Sequence, residues 1–403
     1  MKTVRKLIGT ISYKHVLAVI LLAAIFYTAS ATLPLTLEQI GSYFRKSGKA
    51  AKPAITTQIG DSYLNMLDFD GNMLLNKGSY LNLNGLLARF MGQRFMNERV
   101  KLDNGHLALL NARCDVTLPA KKVTQLCESQ RERGGQFLFV IAPSQFPKYE
   151  NILPAGFDDY TNLNADDLAG MLRANGVPVL DLRDALHEEG ISHTDAFFVT
   201  DHHWTPETGF WAYTKVIEYF AGLGVIDVLE SKYTDISEFN IEIFKNWFLG
   251  SSGRRTGIYY AGVDDFEIIT PKFATDGMSV EIPGKNISKQ GNFADVAYNM
   301  SENRLDYFRC SPYSAYGNSD SGSKSYRNNS APVDLKVLSI GDSLTNVPFT
   351  FLPLVFTTCD ELDMRYYTGD FQEYYRDYNP DIIIIMVGAA SPVQPNTTYN
   401  FTG

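Results

Sequence analysis

Val337-Leu338-Ser339-Ile340-Gly341-Asp342-Ser343-Leu344 joins an apolar run of strand length to a Gly-Asp-Ser turn. A strand over 335–340 that ends in such a turn places Ser343 at the carboxyl edge of a sheet, where open α/β sheets bind ligands. Gly341 permits a tight turn there, and the backbone N–H of Leu344 can face a developing oxyanion. The tripeptide alone is weak evidence, because Gly-Asp-Ser arises by chance in about one chain in ten of this length. A second copy, Gly60-Asp61-Ser62, has no apolar strand before it, so context selects Ser343.

A serine is a poor nucleophile until a base takes its proton, and that base needs an orienting carboxylate. The candidate lies upstream in Thr200-Asp201-His202-His203-Trp204-Thr205-Pro206, which holds two of the six histidines. Asp-x-His spacing puts Asp201 and His203 on one side of an extended segment, where the carboxylate can fix the imidazole tautomer. Three bland readings stand beside this one. The histidines could simply be hydrogen-bonded at a strand-to-helix junction, they could form a metal pair, or Trp204 could be core packing rather than a stacking surface. Adjacent histidines rarely serve one metal, and no Cys or carboxylate cluster nearby completes a site.

Outward from these two stretches the chain alternates helices and buried strands. Residues 137–142 and 381–387 are continuous apolar runs, as suits strands covered on both faces of a parallel sheet. Further strands are expected over 177–182, with Pro178 pointing to an edge, and over 361–365. Helices are expected over 119–133, 166–174, 348–356 and 371–378. Another opens at Thr205-Pro206, a cap followed by proline in the first turn. The expected architecture is a doubly wound parallel α/β sheet.

Two regions break the rhythm. Before residue 119, Asp70-Gly71-Asn72 and Asp103-Asn104-Gly105 carry hairpin-turn chemistry, with a short helix expected over 81–96. From about 237 to 330 the reading is an inserted β-rich subdomain, with short antiparallel strands over 241–244, 257–260, 266–269 and 278–282. Residues 318–329 read as a loop.

Composition and charge set the compartment and exclude some partners. The 403 residues are 45% hydrophobic with a net charge of -9, enough for a large core and unsuited to a nucleic-acid polyanion. Lys2, Arg5, Lys6 and Lys14 precede an uncharged run over 16–35. That pattern is a single-pass membrane anchor, or a signal peptide cut after Ala31, with the rest outside the cytoplasm. The expected organisation is thus an N-terminal segment over 1–36, a linker over 37–58 and a catalytic domain over 59–403. Cys114, Cys127, Cys310 and Cys359 show no metal spacing and could form two disulfides or none. No metal or cofactor is implied.

Gly-Asp-Ser after an apolar strand, with TDHHW upstream of it, resembles the SGNH-hydrolase-like proteins of the DHHW and alginate O-acetyltransferase type. Phe139-Val140-Ile141-Ala142-Pro143-Ser144, Asn246-Trp247-Phe248-Leu249-Gly250, Asp363-Met364-Arg365-Tyr366-Tyr367 and Pro380-Asp381-Ile382 extend the likeness over about 59–390. The resemblance implies an SGNH-like fold and a Ser343/His203/Asp201 triad that moves acetyl groups on an extracellular or cell-wall polysaccharide. It also implies that Trp204 and Arg365 help hold the glycan, and that a membrane-bound O-acyltransferase partner supplies the acetyl donor. An acetylesterase with the same triad and a noncatalytic glycan-binding protein are the alternatives. The chain ends at Gly403, short of the C-terminal carbohydrate-binding module of the alginate enzymes, so alginate itself is not implied.

Overall fold

Long apolar runs flanked by turn residues build the central strands, and their alternate side chains bury into two separate cores. The computed structural model describes residues 77–401 except 228, together with residues 19 and 22. The expected N-terminal anchor or signal, the linker over 37–58, the turn at Asp70-Gly71-Asn72 and the second Gly-Asp-Ser fall outside those residues. Among the described residues no helix is long and apolar enough to cross a membrane. The chain divides into units Met1–Tyr80 and Leu81–Gly403; the sheet and the site lie in the second.

In chain order, α1 (Lys77–Phe90) precedes a small antiparallel sheet of β1 (Phe95–Met96), β2 (Arg99–Lys101) and β3 (Leu107–Ala108). The β2–β3 turn carries Gly105 at a φ of 94°, as its Asn-Gly chemistry requires. Next come α2 (Thr117–Glu132), β4 (Gln136–Ala142), α3 (Thr161–Ala174), β5 (Val179–Asp181) and α4 (Pro206–Gly222). The third section holds β6 (Phe239–Phe248), α5 (Ser251–Thr256), β7 (Asp264–Pro271), β8 (Met278–Ile282), β9 (Ile287–Gly291) and β10 (Ser323–Asn328). The chain closes with β11 (Val333–Gly341), α6 (Asn346–Phe351), β12 (Phe356–Leu362), α7 (Phe371–Tyr378) and β13 (Ile382–Gly388).

The main sheet has eight strands in the order β5-β4-β13-β11-β12-β10-β8-β9. The first five run parallel, with β5 at the edge behind Pro178. Strands β10, β8 and β9 continue the sheet antiparallel. Leu138, Val140, Ile382, Ile384 and Met386 face one core with Phe210, Tyr213 and Phe220 of α4. Phe137, Phe139, Ile141, Ile383, Ile385 and Val387 face the other with Leu126 of α2, Leu168 of α3 and Tyr375 of α7. Both sides of the sheet are covered, which is why β4 and β13 are apolar throughout.

Three expectations change. The sheet is mixed, not wholly parallel, and the region expected as a separate β-rich subdomain shares the main core through Phe239, Phe266, Val280 and Tyr316. It supplies three strands of the main sheet and the separate ribbon of β6 and β7. Residues 257–260 form the helical turn Ile258–Ala261 rather than a strand, because Gly257 at a φ of 86° ends α5 and restarts the chain. Within 318–329, Ser323–Asn328 is a strand. Its buried alternate positions are Lys324, Tyr326 and Asn328, so no apolar period marks it. Lys324 Nζ donates to Glu361 Oε1 (3.0 Å) and Asn346 Oδ1 (3.1 Å), which is how a buried ammonium is accommodated there.

Helix α4 presses onto α6 through Gly209, where a Cβ would lie 2.5 Å from Val347 Cγ1 and 3.2 Å from Trp204 Nε1. Gly209→Ala should cost about 1–3 kcal/mol by overpacking. In urea unfolding, Gly209→Ala combined with Val347→Ala should lose less than the sum of the two single losses. An additive result would show that the two residues do not share this contact.

Candidate active site

Ser343 follows β11 directly, at the carboxyl edge of the parallel strands. A cavity of about 370 Å³ opens there. Its lining comes from chain segments after β4 (Ser144, Gln145), β11 (Asp342, Ser343), β13 (Gly388, Ala389) and β12 (Arg365), and from β2 (Arg99). Four strand ends converge on the cavity, the arrangement by which open α/β sheets make ligand sites.

Asp201 and His203 reach this edge from the loop before α4, and the helix start fixes that loop. Thr205 caps α4 by accepting from Thr208 N at 3.3 Å, with Pro206 behind it. Asp201 Oδ1 accepts from the His203 backbone N–H (3.1 Å) and from His203 Nδ1–H (2.5 Å). With its proton on Nδ1, the ring offers a bare Nε2, and Ser343 Oγ–H donates to it at 2.8 Å. The three residues named from the sequence stand in one hydrogen-bonded line across 140 positions of chain.

The charge at the far end of this line is held by partners from elsewhere in the chain. Asp201 is 2% exposed. Burial opposes its ionisation, yet the electrostatic interaction with the neighbouring His203 and His202 imidazoles, the His203 hydrogen bond and the Ser251 N–H together hold its pKa well below the usual carboxylate range. The Ser251 N–H donates to Asp201 Oδ2 at 2.5 Å. Gly250 makes that approach possible, since a Cβ there would sit 2.2 Å from Asp201 Cβ. The segment Asn246-Trp247-Phe248-Leu249-Gly250 therefore delivers a backbone donor to the carboxylate.

Asp264 of β7 adds a second buried carboxylate behind the loop. It accepts from Val199 N (3.0 Å), Thr200 N (2.9 Å) and Thr200 Oγ1 (2.5 Å). Thr200 Oγ1 in turn accepts from Gly250 N at 2.7 Å. Burial pushes the Asp264 carboxyl up to about 6 against these hydrogen bonds, and the Asp201 charge pushes the same way.

Tyr313 stacks on the His203 ring with centroids 4.0 Å apart and 17° between planes. Neither Asp264 nor Tyr313 was legible in the sequence, because each lies in the region without α/β rhythm and has no motif around it. Ser251 had one usable signal, its place directly after the Asn246–Gly250 likeness.

Two site expectations are corrected. Trp204 is wholly buried, and its indole N–H donates to the Leu344 carbonyl at 3.1 Å. It packs beneath the serine turn and has no surface to offer a glycan. Leu344 N–H donates to Asp342 Oδ1 at 3.0 Å, while Asp342 Oδ2 accepts from Gly388 N at 3.0 Å. The Leu344 donor is therefore spent inside the protein, tying the turn after β11 to the end of β13. The Ser343 N–H is paired with no acceptor among the described residues.

Arg365 does line the cavity, with its guanidinium in a fork on Asp363 (2.9 and 2.6 Å). His202, read from the sequence as structural, also lines the cavity and is exposed, with Nδ1 facing Ser251 Oγ at 3.2 Å. Asp201, His202 and His203 bring ligand-type atoms within 4.8 Å of one another. Both Asp201 oxygens and both His203 ring nitrogens are already committed to the hydrogen bonds above. All four cysteines are free, so the two-disulfide alternative does not occur.

Residues 111–234 match the family model described as SGNH hydrolase-like domain, acetyltransferase AlgX. Over that span the chain is similar to the SGNH hydrolase-like, AlgX-type acetyltransferase family. The matched span includes Asp201 and His203 and stops before the segment that holds Ser251, Asp264 and Ser343. The fold is also similar to Bacillus cereus PatB1 solved with a sulfonyl adduct, at TM-score 0.62 and 18% identity over 74% of this chain and 95% of that one. A DHHW family protein from Eubacterium siraeum gives TM-score 0.55 and 18% identity over 76% and 97%. No curated protein matches the sequence. The SGNH-like α/β fold expected from the sequence is thus shared with solved proteins nearly along their full length.

Two measurements probe this arrangement. Asp264 ionises near 6 when folded and near the ordinary 3.8 when unfolded. The unfolded chain therefore holds fewer protons between those values, and the carboxyl's contribution to stability falls as pH rises through them. The unfolding free energy of the wild type minus that of Asp264→Asn should drop by on the order of 3 kcal/mol from about pH 4 to about pH 6.5, then level off. A flat difference would remove Asp264 from the buried, hydrogen-bonded role. Trp204→Phe should lose about 1 kcal/mol of stability, because the Leu344 carbonyl loses its indole donor and keeps only the Tyr313 hydroxyl at 3.4 Å. A selective weakening of glycan affinity with unchanged stability would return Trp204 to the groove wall.

Proposed function

We propose that the protein is an O-acetyltransferase acting on an extracellular or cell-wall polysaccharide through an acetyl-Ser343 intermediate. The observation that carries this reading is the Ser343–His203–Asp201 relay, at 2.8 and 2.5 Å, opening into a solvent cavity. The AlgX-type family model adds the acyl group.

In the first half-reaction Ser343 Oγ attacks the acetyl carbonyl carbon of the donor while His203 Nε2 takes the hydroxyl proton. The carbonyl electron pair moves to oxygen and then returns as the donor's leaving group departs, carrying the proton from His203. In the second, a sugar hydroxyl attacks the serine ester, gives its proton to His203, and Ser343 leaves with that proton. Asp201 keeps the ring in the Nδ1–H tautomer and stabilises the imidazolium in both steps. The Ser343 N–H takes the oxyanion role that the Leu344 N–H, committed to Asp342, does not fill.

The donor reaches the site from a membrane-bound O-acyltransferase, and the N-terminal segment holds the domain on the outer side of the membrane. No metal or cofactor enters these steps.

Asp201→Asn and His203→Ala should each lower turnover by about 10³–10⁴-fold, with folding checked by thermal unfolding. Incubation with an aryl acetate should leave an acetyl group on the Ser343 peptide by mass spectrometry, absent in Ser343→Ala. Addition of an oligosaccharide should move that acetyl to sugar. Acetate release indifferent to the sugar, with no acetylated product, would make the protein an esterase. No serine label under any condition would leave a noncatalytic glycan-binding protein.

A further inference from the structure

The cavity beside Ser343 carries positive charge that the protein itself does not neutralise. Arg99, Arg255 and Arg365 line it, and Asp342 is the one carboxylate among the lining residues. Both Asp342 oxygens are turned to the backbone N–H groups of Leu344 and Gly388. The contrast with the whole chain, 45 acidic against 36 basic residues, makes this concentration local rather than general.

The three arginines are not equivalent. Arg365 has its own counter-ion in Asp363, with Asp320 at 3.8 Å. Arg99 is 8% exposed, its Nε donates to Ser252 Oγ at 3.0 Å and its Nη1 to the Glu98 carbonyl at 3.2 Å. Among the described residues Arg99 forms no ion pair, and Nη2 is not engaged. Arg255 reaches only Glu98 Oε2, at 3.5 Å between two largely exposed side chains, a contact worth little in water. Burial, and then the like charge of Arg255, depress the Arg99 pKa. The charge of Glu98 and then that of Asp201 work in the other direction, but Glu98 is largely exposed to water and Asp201 is already matched by the Ser251 N–H and His203. A nearly buried guanidinium beside a second one is costly unless an anion joins them.

We infer that Arg99 and Arg255 form an anion subsite next to Ser343, which binds a carboxylate or phosphate carried by the acceptor glycan. Guanidinium groups present paired donors matched to the two oxygens of either group. Serine side chains at Ser251 and Ser252 stand in the same wall and can hydrogen-bond a neighbouring sugar hydroxyl. A negative group held here fixes the register of the sugar ring, so that one hydroxyl is presented to the Ser343 ester and others are not. The inference rests on the transferase reading only in taking the ligand to be a glycan.

The test is direct binding to full-length Ser343→Ala, which cannot turn over, measured by calorimetry at low salt. The ligands are a hexuronate oligosaccharide, the same oligosaccharide after carboxyl reduction, and a phosphorylated neutral oligosaccharide. Either charged ligand should bind at least about tenfold more tightly than the reduced one, with the preference shrinking as salt rises. The stronger of the two identifies the anion. Arg255→Gln in the Ser343→Ala background, at an exposed position where folding is not at stake, should cut the preference to within about threefold. Arg99→Gln should do the same, with its thermal unfolding midpoint showing whether the fold is retained. Equal affinity for charged and reduced ligands, no binding of any of the three, or a preference that survives Arg255→Gln overturns the subsite. A charge preference found in a protein whose wild type never forms an ester at Ser343 would instead sink the transferase reading and leave the subsite standing.

Discussion

The site depends on keeping one carboxylate ionised in the protein interior. Asp201 is out of contact with water, and an isolated charge there would shed its ionisation rather than pay the cost of burial. Its pKa moves down because four contributions converge on it: the electrostatic interactions with the His203 and His202 imidazoles, the His203 hydrogen bond and the Ser251 N–H. The backbone amide of His203 adds a further donor. Each contribution constrains geometry. The Nδ1 hydrogen bond sets the tautomer that leaves Nε2 open to Ser343, and the Ser251 bond requires a glycine at 250 so that two backbones can touch.

The same constraint explains why the section from β6 to β10 is not an accessory. Strand β7 supplies Asp264, which anchors the backbone of Thr200 on one side of Asp201. The turn after β6 supplies Gly250 and Ser251 on the other side. Tyr313 closes over His203 from the same section. The parallel strands aim Ser343, and this section aims His203. Removing either half leaves a group with nothing to act on, which fits a section that shares its hydrophobic core with the parallel sheet.

The parts of this arrangement that local pattern encodes were legible in the sequence. Unbroken apolarity at β4 and β13, Thr205-Pro206 at the start of α4, and the strand before Ser343 each state their structure within a few residues. Helix α7 matches its expected bounds, 371–378. Strand β10 was not legible, because its inward face is Lys324, Tyr326 and Asn328, of which Lys324 and Asn328 are satisfied by partners distant in sequence. Trp204 and Leu344 were misassigned for a related reason. Their neighbours in the motif join the hydrogen-bonded relay, but whether an indole or an amide faces the cavity is decided by tertiary contacts, here the Leu344 carbonyl and the Asp342 carboxylate. Arg99 and Asp264 stand alone in unremarkable stretches and acquire meaning only when the fold brings them to the Asp201 loop.

The Thr200–Pro206 loop divides its side chains between two environments, and that division sets the buried relay beside the open cavity. Asp201 and His203 turn inward to the relay, Trp204 continues into the core beneath the serine turn, and His202 alone turns out to the cavity. The interior positions are held by hydrogen bonds on almost every polar atom, so the relay has little freedom to adapt to a ligand. His202 has one hydrogen bond, to Ser251 Oγ, lies 3.4 Å from Asp201 Oδ1 and against the His203 ring, and stands with Arg99 and Arg255 on the open side. Ser251 touches both environments, with its N–H on Asp201 and its hydroxyl on His202. A ligand that drew on His202 would act on a side chain 3.4 Å from Asp201 Oδ1 and against the His203 ring, and one that drew on the Ser251 hydroxyl would act within the residue whose N–H sustains the Asp201 charge.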